Sequence, residues 1–221
     1  MRRKKKEEMP ILLHFSTDEV YGDVEEGSHS ELDLLKPSNP YSATKAAADQ
    51  LVLAWNRTYD LPYIIVRPTN NYGIGQYVEK LIPKSCKYLK LGKKIPLHNA
   101  GTPIRNWLHA GDTAAAIIKI IESGTRNEIY NISGDYEQSN IETVQQIIKL
   151  SGKNYHIFLD DGVPYAEDYD DYIDLSFNRK GQDVRYAIDD SKLKNLGWSP
   201  TKVFKDELPE IVNYYKENFI W

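Results

Sequence analysis

The feature that most constrains this chain is an alternation. Short apolar runs at residues 11–15, 63–67 and 128–132 are separated by longer stretches with apolar residues at helical spacing. The first two runs read as buried strands and the third as a strand. Pro68 stops the second run. Between the first two, Asn39-Pro40 opens a helix over about 40–59, because asparagine is a good N-cap and proline suits the first helical position. That helix carries Ala43, Ala46, Ala47, Leu51 and Ala54 on one side. Further helices are expected over 78–91, within 108–122, and over 141–150, 190–196 and 203–218. Strands alternating with helices need crossovers, which are right-handed and lay helices on both faces of a parallel sheet. The fold class is α/β.

Bulk properties narrow the function classes. The 221 residues are enough for one large domain, or one domain plus a small lobe. A net charge of −4 gives no reason to expect a nucleic-acid partner. The single cysteine, Cys86, excludes an intrachain disulfide framework and a cysteine-based zinc cluster, and no metal is expected. It fits a reduced, cytoplasmic setting. No apolar run approaches the roughly 18 residues of a membrane span. Residues 1–9 begin with a basic run and read as a solvated arm rather than a targeting or anion-binding tail. Residues 160–183 are acidic and irregular, and 165–172 read as a solvated loop rather than a partner site.

The first apolar run leads straight into Ser16-Thr17-Asp18-Glu19-Val20-Tyr21-Gly22. In open α/β sheets ligands bind beyond the carboxyl ends of strands, and this acidic pair sits at such an end. A structural alternative is a capping box, Ser16 to Glu19, at the start of a helix. Gly22 would break that helix at once. Thr69-Asn70-Asn71 follows the second strand. A second constellation is Tyr41-Ser-Ala-Thr-Lys45. Residues at i and i+4 share a helix face, so a phenol and an ammonium can serve one site. A nearby cation lowers a phenol's pKa and suits it to act as a base. By itself the pattern is common, and an ordinary exposed pair is the alternative.

Together these motifs resemble the extended short-chain dehydrogenase/reductase superfamily, and within it the dTDP-glucose 4,6-dehydratase family. The resemblance runs from about residue 11 to 221. It includes Ser16-Thr-Asp-Glu-Val-Tyr-Gly22, Pro40-Tyr-Ser-Ala-Thr-Lys45, Asn70-Asn-Tyr-Gly73, Glu79-Lys-Leu-Ile-Pro83, Ile104-Arg-Asn-Trp107, Tyr130-Asn-Ile-Ser-Gly134, Arg185-Tyr-Ala-Ile-Asp189 and Leu196-Gly-Trp198. It implies a truncated Rossmann-like parallel sheet flanked by helices, with a smaller C-terminal substrate-binding lobe. Residues 10–135 would form the Rossmann-like remainder with inserted substrate-binding segments, and 136–221 mostly the nucleotide-sugar lobe. The cofactor implied is NAD, held at Ser16, Tyr41, Lys45 and Asn71. Tyr41 would take the proton of the sugar 4-hydroxyl as hydride leaves C4. Lys45 would hold the ribose hydroxyls and tune Tyr41. Thr17 would bond the 4-oxygen, Glu19 would remove the C5 proton and Asp18 would protonate the departing 6-hydroxyl. Two neighbouring carboxyls can hold different protonation states when their surroundings differ. Asn70, Lys80, Leu81, Pro96, His98, Arg105, Asn140, Arg179 and Gln182 would contact a dTDP- or UDP-hexose, arginine suiting a diphosphate because its fork binds oxygens bidentately. A homodimer is also implied.

The chain departs from the family pattern in three places. His98 stands where the family more often has tyrosine, and Gln182 where it often has histidine, which leaves the thymidine or uridine nucleotide open. No glycine-rich turn for a cofactor pyrophosphate is present; Gly73-Ile-Gly75 is the nearest and lacks a third glycine. Without the family's preceding strands, residues 11–15 and 63–67 are expected to present an exposed edge. Three readings follow: a dehydratase with its catalytic residues intact, an inactive nucleotide-sugar-binding remnant without autonomous NAD binding, or a UDP-sugar dehydratase or epimerase. The run Thr17-Asp18-Glu19 disfavours the epimerase.

Overall fold

The structure is a computed structural model that describes residues 9–152, 159–160, 163–164, 171–181 and 183–218. In chain order the elements are β1 (Leu12–Phe15), α1 (Pro40–Tyr59), β2 (Tyr63–Pro68), β3 (Asn70–Tyr72), α2 (Leu81–Lys90), β4 (Ile95–Pro96), β5 (Ile104–His109), α3 (Ala110–Ser123), β6 (Glu128–Ile132), β7 (Glu137–Ser139), α4 (Asn140–Leu150), β8 (Leu159–Asp160), β9 (Val163–Pro164), β10 (Ile173–Asp174), α5 (Ser191–Lys194) and α6 (Phe204–Glu217). Single 3-10 turns cover Asp18–Tyr21 and His98–Gly101. The expected α/β class holds. The helix expected over 78–91 starts later, at Leu81.

The chain divides into two compact units, one made of 1–71, 105–136 and 183–201, the other of 72–104, 137–182 and 202–221. The first holds a parallel three-stranded sheet in the order β1-β2-β6. Its registers run from Leu12 opposite Tyr63 to Phe15 opposite Val66, and from Ile64 opposite Glu128 to Pro68 opposite Ile132. Strand β2 is central, and its residues from Tyr63 to Arg67 are all buried. Successive side chains of a strand point to opposite faces. Ile64 and Val66 accordingly pack with Leu108, Ala116, Ile120 and Trp198, whereas Tyr63 and Ile65 pack with Val52 of α1.

Two expectations about exposure change here. Strand β1 is not buried: among the described residues it pairs only with β2, and Leu12 and Phe15 are 40% and 47% exposed. Strand β2 is not part of an exposed edge, because β6 covers its other side. In α1 the Asn39 side chain accepts from the Ser42 amide at 2.9 Å, the Ser42 hydroxyl accepts from the Asn39 amide at 3.2 Å, and Pro40 takes the first helical position. The inward face of that helix is Ser42, Ala46, Asp49 and Val52, while Ala43, Ala47, Leu51 and Ala54 face out. A buried aspartate on the core side hid that face from a hydrophobic reading.

In the second unit α2, α4 and α6 pack together. Their buried faces are Ile82, Cys86 and Leu89; Val144, Ile147 and Ile148; and Phe204, Leu208, Ile211, Val212 and Tyr215. Helix α4 starts with a capping box between Ser139 and Glu142. Strands β4 and β10 pair in parallel. Of the acidic stretch, residues 165–170 lie outside the described residues.

Candidate active site

The first strand delivers its carboxyl end into the turn Asp18–Tyr21. Thr17 caps that turn: its hydroxyl accepts from the Glu19 amide at 3.3 Å and donates to Asp18 Oδ1 at 3.0 Å. The turn is a 3-10 helix capped by Thr17, so the capping alternative holds one residue later than the Ser16 box. Gly22 ends it with φ 86°, and a Cβ there would lie 2.3 Å from the Lys36 carbonyl oxygen. A side chain at this position would strain the backbone and collide.

Asp18 is 3% exposed, and its Oδ2 is buried without a hydrogen-bond partner among the described residues. Burial, then the neighbouring Glu19, pushes its pKa up to about 7. A carboxyl in that state keeps its proton near neutrality and can donate it. Glu19 is half-buried. Its Oε2 lies 3.4 Å from Asn39 Nδ2 and 3.4 Å from the Tyr186 hydroxyl. Asn39 thus caps α1 with its oxygen and holds the acidic turn with its nitrogen.

Helix α1 carries the phenol and the ammonium. Tyr41 is 54% exposed. Its pKa is raised, by burial first and then by Glu19 and Asp18. This corrects the expected lowering by Lys45. The Lys45 ammonium donates instead to the Phe15 carbonyl oxygen at 2.6 Å, which ties α1 to the end of β1.

Behind the turn lies a buried ion pair. Arg67 holds Asp49 Oδ2 through Nε at 3.0 Å and Nη2 at 2.9 Å. Arg67 Nη1 donates to the Tyr21 hydroxyl at 2.6 Å, and that hydroxyl donates to Asn131 Oδ1 at 2.8 Å. Strand β2, helix α1, strand β6 and the acidic turn therefore meet at one set of buried polar groups. Burial raises the Tyr21 phenol to about 12, so it stays a donor.

The remaining expected residues divide between the units. In the first, Ser16 is buried and its hydroxyl has no partner among the described residues. Asn71 donates to the Thr69 carbonyl and accepts from the Thr113 hydroxyl, and Asn70 is half-buried nearby in sequence. Arg105 is 8% exposed; its guanidinium donates to the Asp183 carbonyl oxygen at 3.2–3.3 Å and lies 5.0 Å from the centre of the Tyr186 ring. In the second unit, exposed Lys80 precedes α2, Leu81 begins it, Pro96 lies in β4 and Asn140 begins α4. His98 stands edge-on to Phe177 at 6.2 Å. Partial burial, then Lys84 and Arg179, lowers its pKa, so His98, Phe177, Arg179 and Lys84 gather together. Gln182 lies outside the described residues. Sequence reasoning gave no role to Tyr186, Asp183, Lys84 or Phe177, and read Asn39 only as a helix cap. Tyr186 stood inside a quoted motif, but nothing in its spacing links it to Glu19.

A parallel sheet whose first strand ends in Thr-Asp-Glu, beside a capped helix with tyrosine and lysine on one face, defines an extended short-chain dehydrogenase/reductase type of protein. Comparison with known proteins specifies it. The chain belongs to the family described as GDP-mannose 4,6 dehydratase, which it matches over residues 1–211. It is 41% identical to low-salt glycan biosynthesis protein Agl12 of Haloferax volcanii, over 92% of this chain and 61% of that protein. It is 40% identical to a dTDP-glucose 4,6-dehydratase of Streptomyces niveus, over 95% of this chain and 58% of that protein. The crystal structure of a dTDP-glucose 4,6-dehydratase of Bacillus anthracis in complex with NAD matches with TM-score 0.82 and 40% identity, over 94% of this chain and 62% of that one. The chain spans about three-fifths of the length of these relatives.

Proposed function

We propose that this chain carries the catalytic residues of a nucleotide-sugar 4,6-dehydratase that converts a dTDP-hexose to its 4-keto-6-deoxy product. The observation that carries the reading is Asp18: a buried carboxyl that keeps its proton up to about pH 7, next to Glu19 and within the electrostatic reach of Tyr41. An elimination across adjacent carbons needs one group to remove a proton and another to supply one. Asp18 donates its proton to the 6-oxygen, which leaves as water. Glu19 accepts the proton from C5, made acidic by a ketone at C4. Tyr41 and Thr17 bond the 4-oxygen; the Tyr41 phenol is raised in this structure, and it takes the 4-hydroxyl proton only where a bound cationic nicotinamide brings it down.

The cofactor of this reading is NAD, which when bound accepts hydride from C4 and returns it to C6. The residues fit its nicotinamide end: Ser16 offers a buried hydroxyl with no partner among the described residues, Lys45 reaches the carbonyl of the preceding Phe15, and Tyr41 lies one turn from Lys45 on α1. No glycine-rich turn to hold the pyrophosphate stands in this sequence. A second reading is nucleotide-sugar binding without autonomous NAD binding. Lys80, Leu81, Pro96, His98, Asn70, Arg105, Asn140 and Arg179 belong to the nucleotide-sugar side of the proposal, and a UDP-hexose is the alternative substrate.

A homodimer belongs to the same reading. Leu51, Trp55 and Tyr59 are exposed along α1, which supports it. A cytoplasmic location does too; no helix among the described residues is long and apolar enough to cross a membrane.

The test is NAD titration of the full chain, followed by assay with dTDP-glucose and UDP-glucose. Turnover to a 4-keto sugar is expected, with Glu19→Gln and Tyr41→Phe each lowering kcat by about 100-fold or more, the scale of positioned acid–base groups. Absence of NAD binding at millimolar concentration would leave the second reading.

A further inference from the structure

Hydride added to C6 leaves C5 in need of a proton, and Glu19, which took the C5 proton, is the group placed to return it or one exchanged with solvent. Glu19 is linked through hydrogen bonds to groups outside its own turn. The Tyr186 hydroxyl lies 3.4 Å from Glu19 Oε2 and donates to Asp183 Oδ2. Asn39 Nδ2 lies 3.4 Å from the same Glu19 oxygen and 3.3 Å from the same Asp183 oxygen. The two bridges differ in kind. An amide nitrogen only donates, whereas a phenol can accept a proton on its oxygen and release its own. Tyr186 and Asp183 are both buried. Beyond Asp183 stands the exposed Asp23, whose carboxyl is raised by burial first and then by the charge of Asp183. Asp23 is anchored there by the Val184 amide, which donates to its Oδ1 at 2.8 Å. Hydrogen bonds therefore run from the half-buried Glu19 to Asp183, and the exposed Asp23 carboxyl is held on the residue next to Asp183 in the chain.

We infer that Glu19, Tyr186, Asp183 and Asp23 form a proton relay between Glu19 and solvent. The identity of the proton rests on the dehydratase reading; the hydrogen-bonded path does not. Protonated Glu19 gives its proton to the Tyr186 oxygen as Tyr186 gives its hydroxyl proton to Asp183. Glu19 ends ionised, Tyr186 unchanged and Asp183 protonated. Asp183 exchanges its proton through Asp23 with water, and the reverse transfers return a solvent proton to Glu19, which gives it to C5 as hydride adds to C6. One carboxyl proton replaces another, and no electron moves. Burial first, and then the bond to Asp183, raises the pKa of Tyr186, which keeps it a neutral conduit. Arg105 lies over its ring and holds the backbone of Asp183, fixing both links. Tyr186, Asp183 and Asp23 are positioning residues on this view, acting through Glu19.

The relay is tested first without turnover. Full chain carrying carboxyl-labelled Glu and Asp is titrated by carbon NMR, with Asp18 and the Tyr41 ring followed in the same samples because both face Glu19. The Glu19 titration curve is expected to shift in Tyr186→Phe and in Asp183→Asn, and Asp23→Asn, a surface change, is expected to shift the Asp183 curve. An unshifted Glu19 curve in both inner variants, with circular dichroism unchanged, overturns the relay. The second measurement is turnover in deuterated water. Wild type is expected to place solvent deuterium at C5 of the product, and Asp183→Asn to slow that exchange by about 100-fold, as for loss of a positioned proton-transfer group. Exchange at the wild-type rate in Asp183→Asn overturns the relay as well. Shifted titration curves without any 4-keto sugar from wild type would defeat the dehydratase reading and leave the relay standing.

Discussion

Asp18 shows how one side chain changes meaning with its surroundings. In the sequence it is half of an acidic pair, and an unperturbed aspartate would be ionised at neutral pH. In the structure its carboxyl is enclosed, with only the Thr17 hydroxyl on Oδ1 and nothing among the described residues on Oδ2. Burial and Glu19 together hold its proton to about pH 7, against 3.8 when unperturbed. The folded protein therefore binds one more proton than the unfolded chain between about pH 4 and 7, and stability falls as pH rises through that window. The difference of about three pKa units corresponds to a ceiling of about 4 kcal/mol. Asp18→Asn should remove this loss, so the variant gains on wild type between pH 4 and pH 8. Urea unfolding at both pH values checks it; equal pH dependence in the two proteins would contradict the buried, protonated state. The adjacent acids were legible in the sequence as a candidate acid and base. Which one keeps a proton was not, because that depends on enclosure.

Helix α1 was the most legible element. Asn39, Pro40 and Ser42 act at its start through local geometry, so sequence alone placed it. Its inward face was not legible, because Asp49 lies fully buried there and reads as a surface residue. Its partner Arg67 comes from β2, and the pair stands behind the turn that carries Asp18 and Glu19. Removing one member of a buried pair leaves an uncompensated charge, at a cost of roughly 3–5 kcal/mol. Asp49→Ala should lose that much in urea unfolding. The double change Asp49→Leu with Arg67→Met should recover most of it, since well-packed apolar replacements are often neutral. A double variant as unstable as the single one would show that the charge is not what matters there. The pairing of Lys45 with the Phe15 carbonyl was equally hidden. Spacing puts Lys45 on the same face as Tyr41, but only the nearby end of β1 decides where the ammonium points.

At the scale of the molecule, β1 is an outer strand of the parallel sheet among the described residues. Ile11, Leu12 and Phe15 are each more than a third exposed along it. Exposed apolar edge strands template association with other chains, and charged residues blunt them. Leu12→Lys should slow growth of light scattering in concentrated solution while changing stability by about 0.5 kcal/mol or less, as expected at an exposed site. Unchanged scattering would show that association does not use this edge. The two compact units interleave along the chain, with residues 183–201 returning to the unit that holds the sheet. That return brings Asp183 and Tyr186 to Glu19. By itself the sequence determined the class of fold, the start of α1 and the order of motifs that marks the family, because capping, turn chemistry and hydrophobic period act between near neighbours. Only the tertiary structure decided which strand is outermost, which helix face is buried, why the Tyr41 phenol is raised rather than lowered, and which distant groups reach Glu19. Each of those depends on charge and solvent exclusion contributed by residues far away in the chain, which local spacing does not record.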